Sequence, residues 1–259
     1  MTESQNLLDN AVQGSNLSFF YEPSQWVFQD LNFSFRKGAI NAILGLNGCG
    51  KTTLLKIILG VLKPKTGTLK RFGETAFVPQ IFQAVFSFRA LDMVLMGRTR
   101  HVGLFSRPSK KDELLALKAM EKLGIENLAL RPYPELSGGQ RQLVILARAL
   151  VSEAKILIFD EPSSALDLGN QVLVLRRMRE LSRKDSLTVI FTTHMPQQAL
   201  SIADEVLLMT AQNSFLAGST EEILTEENLE NVYGIEVKLL EVEKDGKKTK
   251  ALISLFPDV

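Results

Sequence analysis

The stretch INAILGLNGCGKTTLLKIILGVL (residues 40–61) decides the fold. Within it, GLNGCGKTT (residues 45–53) matches the pattern Gly-x-x-x-x-Gly-Lys-Ser/Thr. The residues before the pattern are apolar and partly β-branched and read as a strand. After it, Leu54, Leu55, Ile57, Ile58 and Val61 are apolar at helical positions, and Pro64 lies just beyond as a stop. Strand, glycine loop and helix are the context in which this pattern holds a nucleotide phosphate. Glycines let backbone N–H groups wrap the β-phosphate. Lys51 is placed to reach the β- and γ-phosphates, and the Thr52 hydroxyl to bind Mg²⁺. Asn47, Gly48, Cys49, Gly50 and Thr53 complete the expected nucleotide contacts. Alone, the loop indicates a nucleotide and leaves the reaction open.

Two later stretches add chemistry. ILIFDEP (residues 156–162) sets Asp160 and Glu161 directly after an apolar run. Carboxylates at the C-terminal end of a parallel strand stand where such sheets bind ligands. Asp160 suits the Mg²⁺ shell through water, and Glu161 suits orientation of an attacking water. In ELSGGQRQLVILARAL (residues 135–150), Leu143, Val144, Leu146, Ala147 and Leu150 form a helical apolar face. Upstream of that face, Ser137, Gly138 and Gly139 leave N–H groups bare at a helix start, which is an anion site.

The rest of the chain is consistent with a large α/β protein. It has 259 residues, 45% hydrophobic, enough for a sizeable core. A net charge of +1 gives no global pull toward nucleic acid or acidic lipid. One cysteine, Cys49, excludes an internal disulfide framework and suits a reducing cytosol. No apolar run has the length of a membrane span, and the first ten residues lack the pattern of a secretory signal. AKILIFDEP and SLTVIFTTH read as buried strands, with the helical QVLVLRRMRELSRK between them making a βαβ unit. WVFQDLNFSF and ETAFVPQ read as further strands. From about Phe82 to Leu150 the pattern is mainly helical. In SKKDELLALKAMEKLG, Ser109 is the expected N-cap, Leu114, Leu115, Leu117 and Met120 the inward face, and Gly124 the stop. TEEILTEENLENVYG reads as one or two short helices. EVKLLEVEKDGKKTKALISLF reads as a hairpin turning at Asp245-Gly246.

The phosphate loop, LSGGQ (residues 136–140) and ILIFDEP, in this order, resemble the nucleotide-binding subunits of ABC transporters over essentially the whole chain. Other positions match that family's pattern. Gln80 in FVPQ resembles the glutamine that links the metal site to a helical subdomain. Asp167 in SSALD resembles the D-loop aspartate. His194 in FTTH resembles the switch histidine that contacts the γ-phosphate. Tyr21 in LSFFY resembles the aromatic that stacks on adenine, with Phe20 and Trp26 as alternatives. His101 has no such context and reads as a loop histidine. Two positions depart from the pattern: Cys49 stands where the family has alanine or serine, and Met195 where it often has aspartate. The resemblance implies a P-loop NTPase (RecA-like) α/β core with an N-terminal antiparallel β subdomain and an inserted α-helical subdomain. It implies one domain, residues 1–259. The β subdomain and the first part of the core fall in 1–83, the helical subdomain in 84–150, the rest of the core in 151–217, and C-terminal helices and a hairpin in 218–259.

The implied activity is Mg²⁺-dependent ATP hydrolysis by a head-to-tail homodimer. Each ATP lies between the phosphate loop of one copy and Ser137, Gly138, Gly139 and Gln140 of the other, with Gln80, Glu161 and His194 as catalytic groups. The implied partner is an integral-membrane permease dimer at the cytoplasmic face of the inner membrane, indirectly served by a substrate-binding protein. MGRTRHVGLFSRPSKKD (residues 96–112) and ILTEENLENVYGIEV are similar to ATPases of siderophore, haem, cobalamin and metal-oxyanion importers. The alternative is a non-transport ABC ATPase acting on DNA or the ribosome; such relatives carry long coiled-coil insertions or paired ATPase units, and this chain has neither, nor a basic stripe for nucleic acid. A GTPase would need an Asn/Thr-Lys-x-Asp base-reading element, and none occurs. A nucleotide sensor without catalysis is expected to lack Glu161 or His194. A thiol at a helix N-terminus favours the reactive thiolate. Alkylation of Cys49 is therefore expected to block ATPase activity, and ATP to protect against it. Full activity after complete alkylation, read by mass spectrometry, refutes this.

Overall fold

The computed structural model describes residues 9–23, 25–80, 87–102, 106–210, 214–244 and 246–255. They divide into two compact units. One combines Met1–Phe72 with Leu181–Val259, and the other is Gly73–Glu180.

The first unit opens with β1 (Asn10–Phe20) antiparallel to β2 (Trp26–Arg36). Leu31, Phe33 and Phe35 alternate inward, as a half-buried strand requires. A bulge at Asp30, with φ +52°, resets the alternation so that Phe28 also points inward. The Asp30 N–H donates to Ser18 Oγ at 3.0 Å and pins that bulge. β3 (Ile40–Gly45) is buried along its whole length, and α1 (Lys51–Ile58) follows it. α1 stops earlier than its apolar spacing suggests. Gly60 takes a left-handed φ of +79°, and the N–H groups of Gly60 and Val61 return to the Ile57 and Lys56 carbonyls. Val61, the last apolar residue of that helical spacing, lies beyond the helix and is 70% exposed. β4 (Thr66–Arg71) then pairs with the free side of β1.

The second unit starts with β5 (Thr75–Val78) and continues through α2 (Ala90–Leu95), α3 (Lys110–Lys122) and α4 (Gly138–Leu150). β6 (Ile156–Phe159) lies parallel to β5, and α5 (Leu168–Asp185) belongs to this unit through Glu180. Arg98, 6% exposed, ties the helices together. It donates to Asp112 Oδ1 at 2.9 Å, to the Val151 carbonyl at 3.0 Å and to Glu153 Oε2 at 2.7 Å. Ser109 caps α3 as expected, in a reciprocal pair with Asp112. The inward face of α3 differs from the expected one. Asp112, Ala116, Ala119 and Met120 are buried, while Leu114 is 54% exposed. The pairing of Arg98 with Asp112 draws Asp112 inside, and a residue two further on then projects to the opposite side of the helix. α4 is buried at Leu143, Val144, Leu146 and Ala147, as its spacing suggests, and at Ile145 and Ala149 as well.

The chain returns to the first unit through β7 (Thr188–Thr193), α6 (Pro196–Ile202), β8 (Glu205–Met209) and β9 (Phe215–Ser219). β7 and β8 flank β3 in parallel, and β9 adds antiparallel outside β8. Every residue of β3 and β7 is buried, which explains their near-continuous apolar sequences. Asn41, fully buried in β3, donates to the carbonyls of Arg36, Ala39 and Val189 and accepts from the Arg36 N–H. One amide thus locks the β2–β3 turn to β7. α7 (Thr220–Ile223) and α8 (Glu226–Tyr233) follow, each started by a Ser or Thr cap, and the chain closes in the hairpin β10 (Val237–Lys244) and β11 (Lys247–Ser254). Gly246 supplies a φ of +70° in the hairpin turn; Asp245, the other expected turn residue, lies outside the described residues.

The Ser109 and Arg98 hydrogen bonds hold the Asp112 carboxyl down to about 2, from an ordinary 3.8. Its contribution to stability is therefore present above pH ~4 and lost as pH falls toward 2. Acid titration of helix unfolding is expected to show this step in the wild type and to lose it in Asp112→Asn. An unchanged acid profile in that variant counts against the Arg98–Asp112–Ser109 cluster as the acid-sensitive latch.

Candidate functional site

In the first unit, Gly48 and Gly50 take φ of +83° and +102°, values that favour glycine. They turn the chain so that α1 begins with no side-chain cap. The N–H groups of its first turn therefore have no intrahelical partner and suit an anion. Lys51 is 5% exposed, and its Nζ donates to the carbonyls of Gly45 and Leu46, both at 2.9 Å. The ammonium is thereby carried inside the loop rather than out in solvent. Thr52 faces outward, while Thr53 is buried with its hydroxyl 3.1 Å from Tyr21 OH. Cys49 is buried, with Sγ against Gly45.

A cleft of about 500 Å³ opens beside this loop, lined by Tyr21, Trp26, Asn47, Gly48 and Cys49 among others. Tyr21 is 58% and Trp26 37% exposed, so the cleft offers two aromatic surfaces to a flat base. Phe20 packs at right angles against Trp26, with ring centres 4.9 Å apart. His194 stands directly after β7, half-buried.

In the second unit, Asp160 and Glu161 follow β6 as expected. The Asp160 N–H donates to the Val78 carbonyl at 3.0 Å, which keeps the strand end in register with β5. Glu161 has a φ of +43°, a left-handed conformation that costs about 1 kcal/mol or more for a non-glycine residue. Gln80 Nε2 donates to Ser164 Oγ at 2.9 Å and lies 3.5 Å from Glu161 Oε2. Ser164 Oγ in turn donates to the Glu161 carbonyl at 3.1 Å. Gln80 and Glu161 are thus brought together around Ser164, which the sequence reading passed over inside SSALD.

The LSGGQ segment starts α4 with a reciprocal cap. Ser137 Oγ accepts from the Gln140 N–H at 3.3 Å, and Gln140 Oε1 accepts from the Ser137 N–H at 3.1 Å. The Ser137 hydroxyl proton remains able to donate outward. Gly139 lies so close to the Asn170 amide that a methyl group there would collide with it. Asp167 holds that amide: Asn170 N–H reaches Asp167 Oδ1 at 2.9 Å, and Asn170 Nδ2 reaches Oδ2 at 2.7 Å. These bonds from Asn170 hold the Asp167 carboxyl below its ordinary value. Asn170 is a second residue missed in the sequence. Its signal, an Asn three residues after a capping Asp, is too common to read alone.

Among the described residues no group of three or more His, Cys, Asp and Glu is arranged for a metal. Mg²⁺ carried on a nucleotide triphosphate takes one or two protein oxygens. The Thr52 hydroxyl and the Asp160 carboxylate are oxygen donors of the right kind.

An ABC transporter family model matches residues 28–164. The chain is 46% identical over 222 residues to the molybdate import ATP-binding protein MolC of Haemophilus influenzae, which covers 86% of this chain and 87% of that one. It is 38% identical over 236 residues to an iron chelatin transport ATP-binding protein of Helicobacter pylori, covering 86% and 92%. It superposes on a chain of a metal-chelate type ABC transporter, solved in an inward-facing conformation, with a TM-score of 0.91 and 41% identity, covering 96% and 98%. The chain belongs to the ABC transporter family, with the P-loop NTPase fold of the family's ATP-binding cassettes, and is an ATPase.

Proposed function

We propose that this protein is the ATP-hydrolysing subunit of an importer for a metal oxyanion or metal chelate, working as a head-to-tail dimer on a membrane permease. The observation that carries the dimer is the LSGGQ helix start. It is a capped N-terminus with an outward-facing hydroxyl, on the unit that lacks the phosphate loop. Beside it, Leu168 and Val172 lie one turn apart on α5 and are 78% and 65% exposed. A second copy would cover this apolar pair while Ser137 and the Gly139 N–H donate to the γ-phosphate.

In this reading the phosphate loop holds the triphosphate of its own copy. Lys51 leaves the loop carbonyls for the β- and γ-oxygens, an exchange of neutral acceptors for anionic ones. Thr52 would hold Mg²⁺, with Asp160 acting through water and Gln80 linking the metal to the helices, and the ion would offset phosphate charge. Glu161 accepts a proton from the attacking water or orients it, and Gln80 couples Glu161 to the segment leading into the helices. Tyr21 or Trp26 stacks on adenine. His194 contacts the γ-phosphate. Hydrolysis removes the group that both copies share, and the dimer loosens. Among the described residues no helix is long and apolar enough to cross a membrane, and attachment to the inner membrane comes from the permease. Molybdate is the first cargo to test, since the relative of 46% identity is named for its import; a substrate-binding protein would deliver it.

Glu161→Gln is expected to keep ATP affinity, stabilise the dimer on gel filtration with ATP, and lower kcat by about 10² or more. Wild-type hydrolysis in that variant removes Glu161 from the mechanism. Reconstituted with a permease partner, the wild type is expected to drive ATP-dependent uptake of radiolabelled molybdate or a ferric chelate into vesicles. Uptake of neither, with ATPase-dependent binding to ribosomes or DNA, overturns the importer reading.

A further inference from the structure

The peptide joining His194 to Met195 is gripped at both poles. Its carbonyl accepts a hydrogen bond from Tyr233 OH at 3.0 Å, and its N–H donates to Thr193 Oγ1 at 3.0 Å. Thr193 Oγ1 is itself fixed by donating to Gln198 Oε1 at 2.8 Å. Tyr233 is the last residue of α8, far along the chain from His194. Burial, with the nearby Cys49 thiol as a smaller cause, pushes its hydroxyl well above the usual range, so it remains a donor throughout the working pH range.

The rest of the C-terminal segment keeps Tyr233 in place. Gly234, at φ +68°, stops α8 directly after it. Glu230 Oε1 accepts from the Val237 N–H at 3.1 Å and Glu226 Oε1 from the Leu239 N–H at 2.8 Å, which ties α8 to β10. β11 returns to the His194 segment through Gln197. That amide donates to the Lys250 carbonyl at 3.2 Å and accepts from the Leu252 N–H at 2.8 Å, imitating a neighbouring strand. The bonds close a ring from the His194 carbonyl through α8 and the hairpin to α6, the helix that His194 precedes.

We infer that the C-terminal segment 226–254 is a brace for His194, and that Tyr233 is a positioning residue for ATP hydrolysis. It acts by fixing the plane of the 194–195 peptide and so the direction in which the imidazole leaves the backbone. The inference rests on the reading of His194 as the γ-phosphate contact. Without the hydroxyl, one pole of the peptide is free to turn, and the imidazole loses its fixed aim.

The test compares the full-length wild type, Tyr233→Phe, His194→Ala and the double variant. In Tyr233→Phe, kcat is expected to fall about fivefold, the worth of one hydrogen bond, with the ATP dissociation constant within about twofold of wild type. His194→Ala should fall by about a hundredfold, and the double variant should match it, because a brace has no effect once its client is gone. The chain has two histidines, so their ring NMR signals are separable. In Tyr233→Phe that of His194 should shift and that of His101 stay. Wild-type kcat in Tyr233→Phe beside a defective His194→Ala overturns the brace. So do losses that multiply in the double variant, or a His194 signal that does not move. Wild-type kcat in His194→Ala instead overturns the reading of His194 itself.

Discussion

The structure depends on one constraint: a bundle of negative charge must be held by backbone N–H groups at the start of a helix that no side chain caps. Only residues with left-handed backbone freedom can make the turn, hence Gly48 and Gly50. Only a strand buried on both faces and paired on both sides keeps that turn from drifting, hence β3 between β7 and β8. The amide of Asn41 and the carboxylate of Asp204, which accepts from the Ile40 N–H at 2.9 Å, set the strand's starting register. Burying Lys51 in such a place is tolerable because two carbonyls receive its ammonium.

The second unit solves a different problem, that of presenting polar groups at fixed angles from short turns. Glu161 is held in a left-handed turn with Ser164 and Gln80 around it. Ser137 and Gln140 satisfy each other's backbone groups and leave a hydroxyl proton facing out. Asp167 and Asn170 together set the floor under Gly139. Each group is small, polar and locally tied, and the rigidity beneath comes from buried helix faces and the Arg98 cluster. Rigid support under polar turns is what the proposed roles of orienting water and binding phosphate demand.

Much of the site was legible because its chemistry is local. The phosphate loop, the Asp160–Glu161 pair and the LSGGQ cap are contiguous, and each carries its own strand or helix signal. Spacing along the chain does not single out β1, β4, β8 or β9 as strands. β1 and β4 carry Gly, Ser or Thr where apolar alternation would advertise a strand, and become strands by pairing with each other and with β2. Val61 and Leu114 depart from the apolar spacing for a related reason. Periodicity counts apolar residues, whereas the Gly60 turn and the Arg98–Asp112 pair decide where the helix ends and which side faces in.

The nucleotide loop, the order of strand and helix around it, the acidic pair and the capped glycine helix are written in the chain order alone. These are set by contacts within a few residues, where backbone sterics and hydrogen bonding act directly. Long-range packing alone brings Gln80 to Glu161 across 81 positions, sets Asn170 under Gly139, and lets Tyr233 hold the His194 peptide from 39 positions away. Those contacts arise because packing brings distant segments to hydrogen-bond distance, and no spacing along the chain records which donor will find which acceptor.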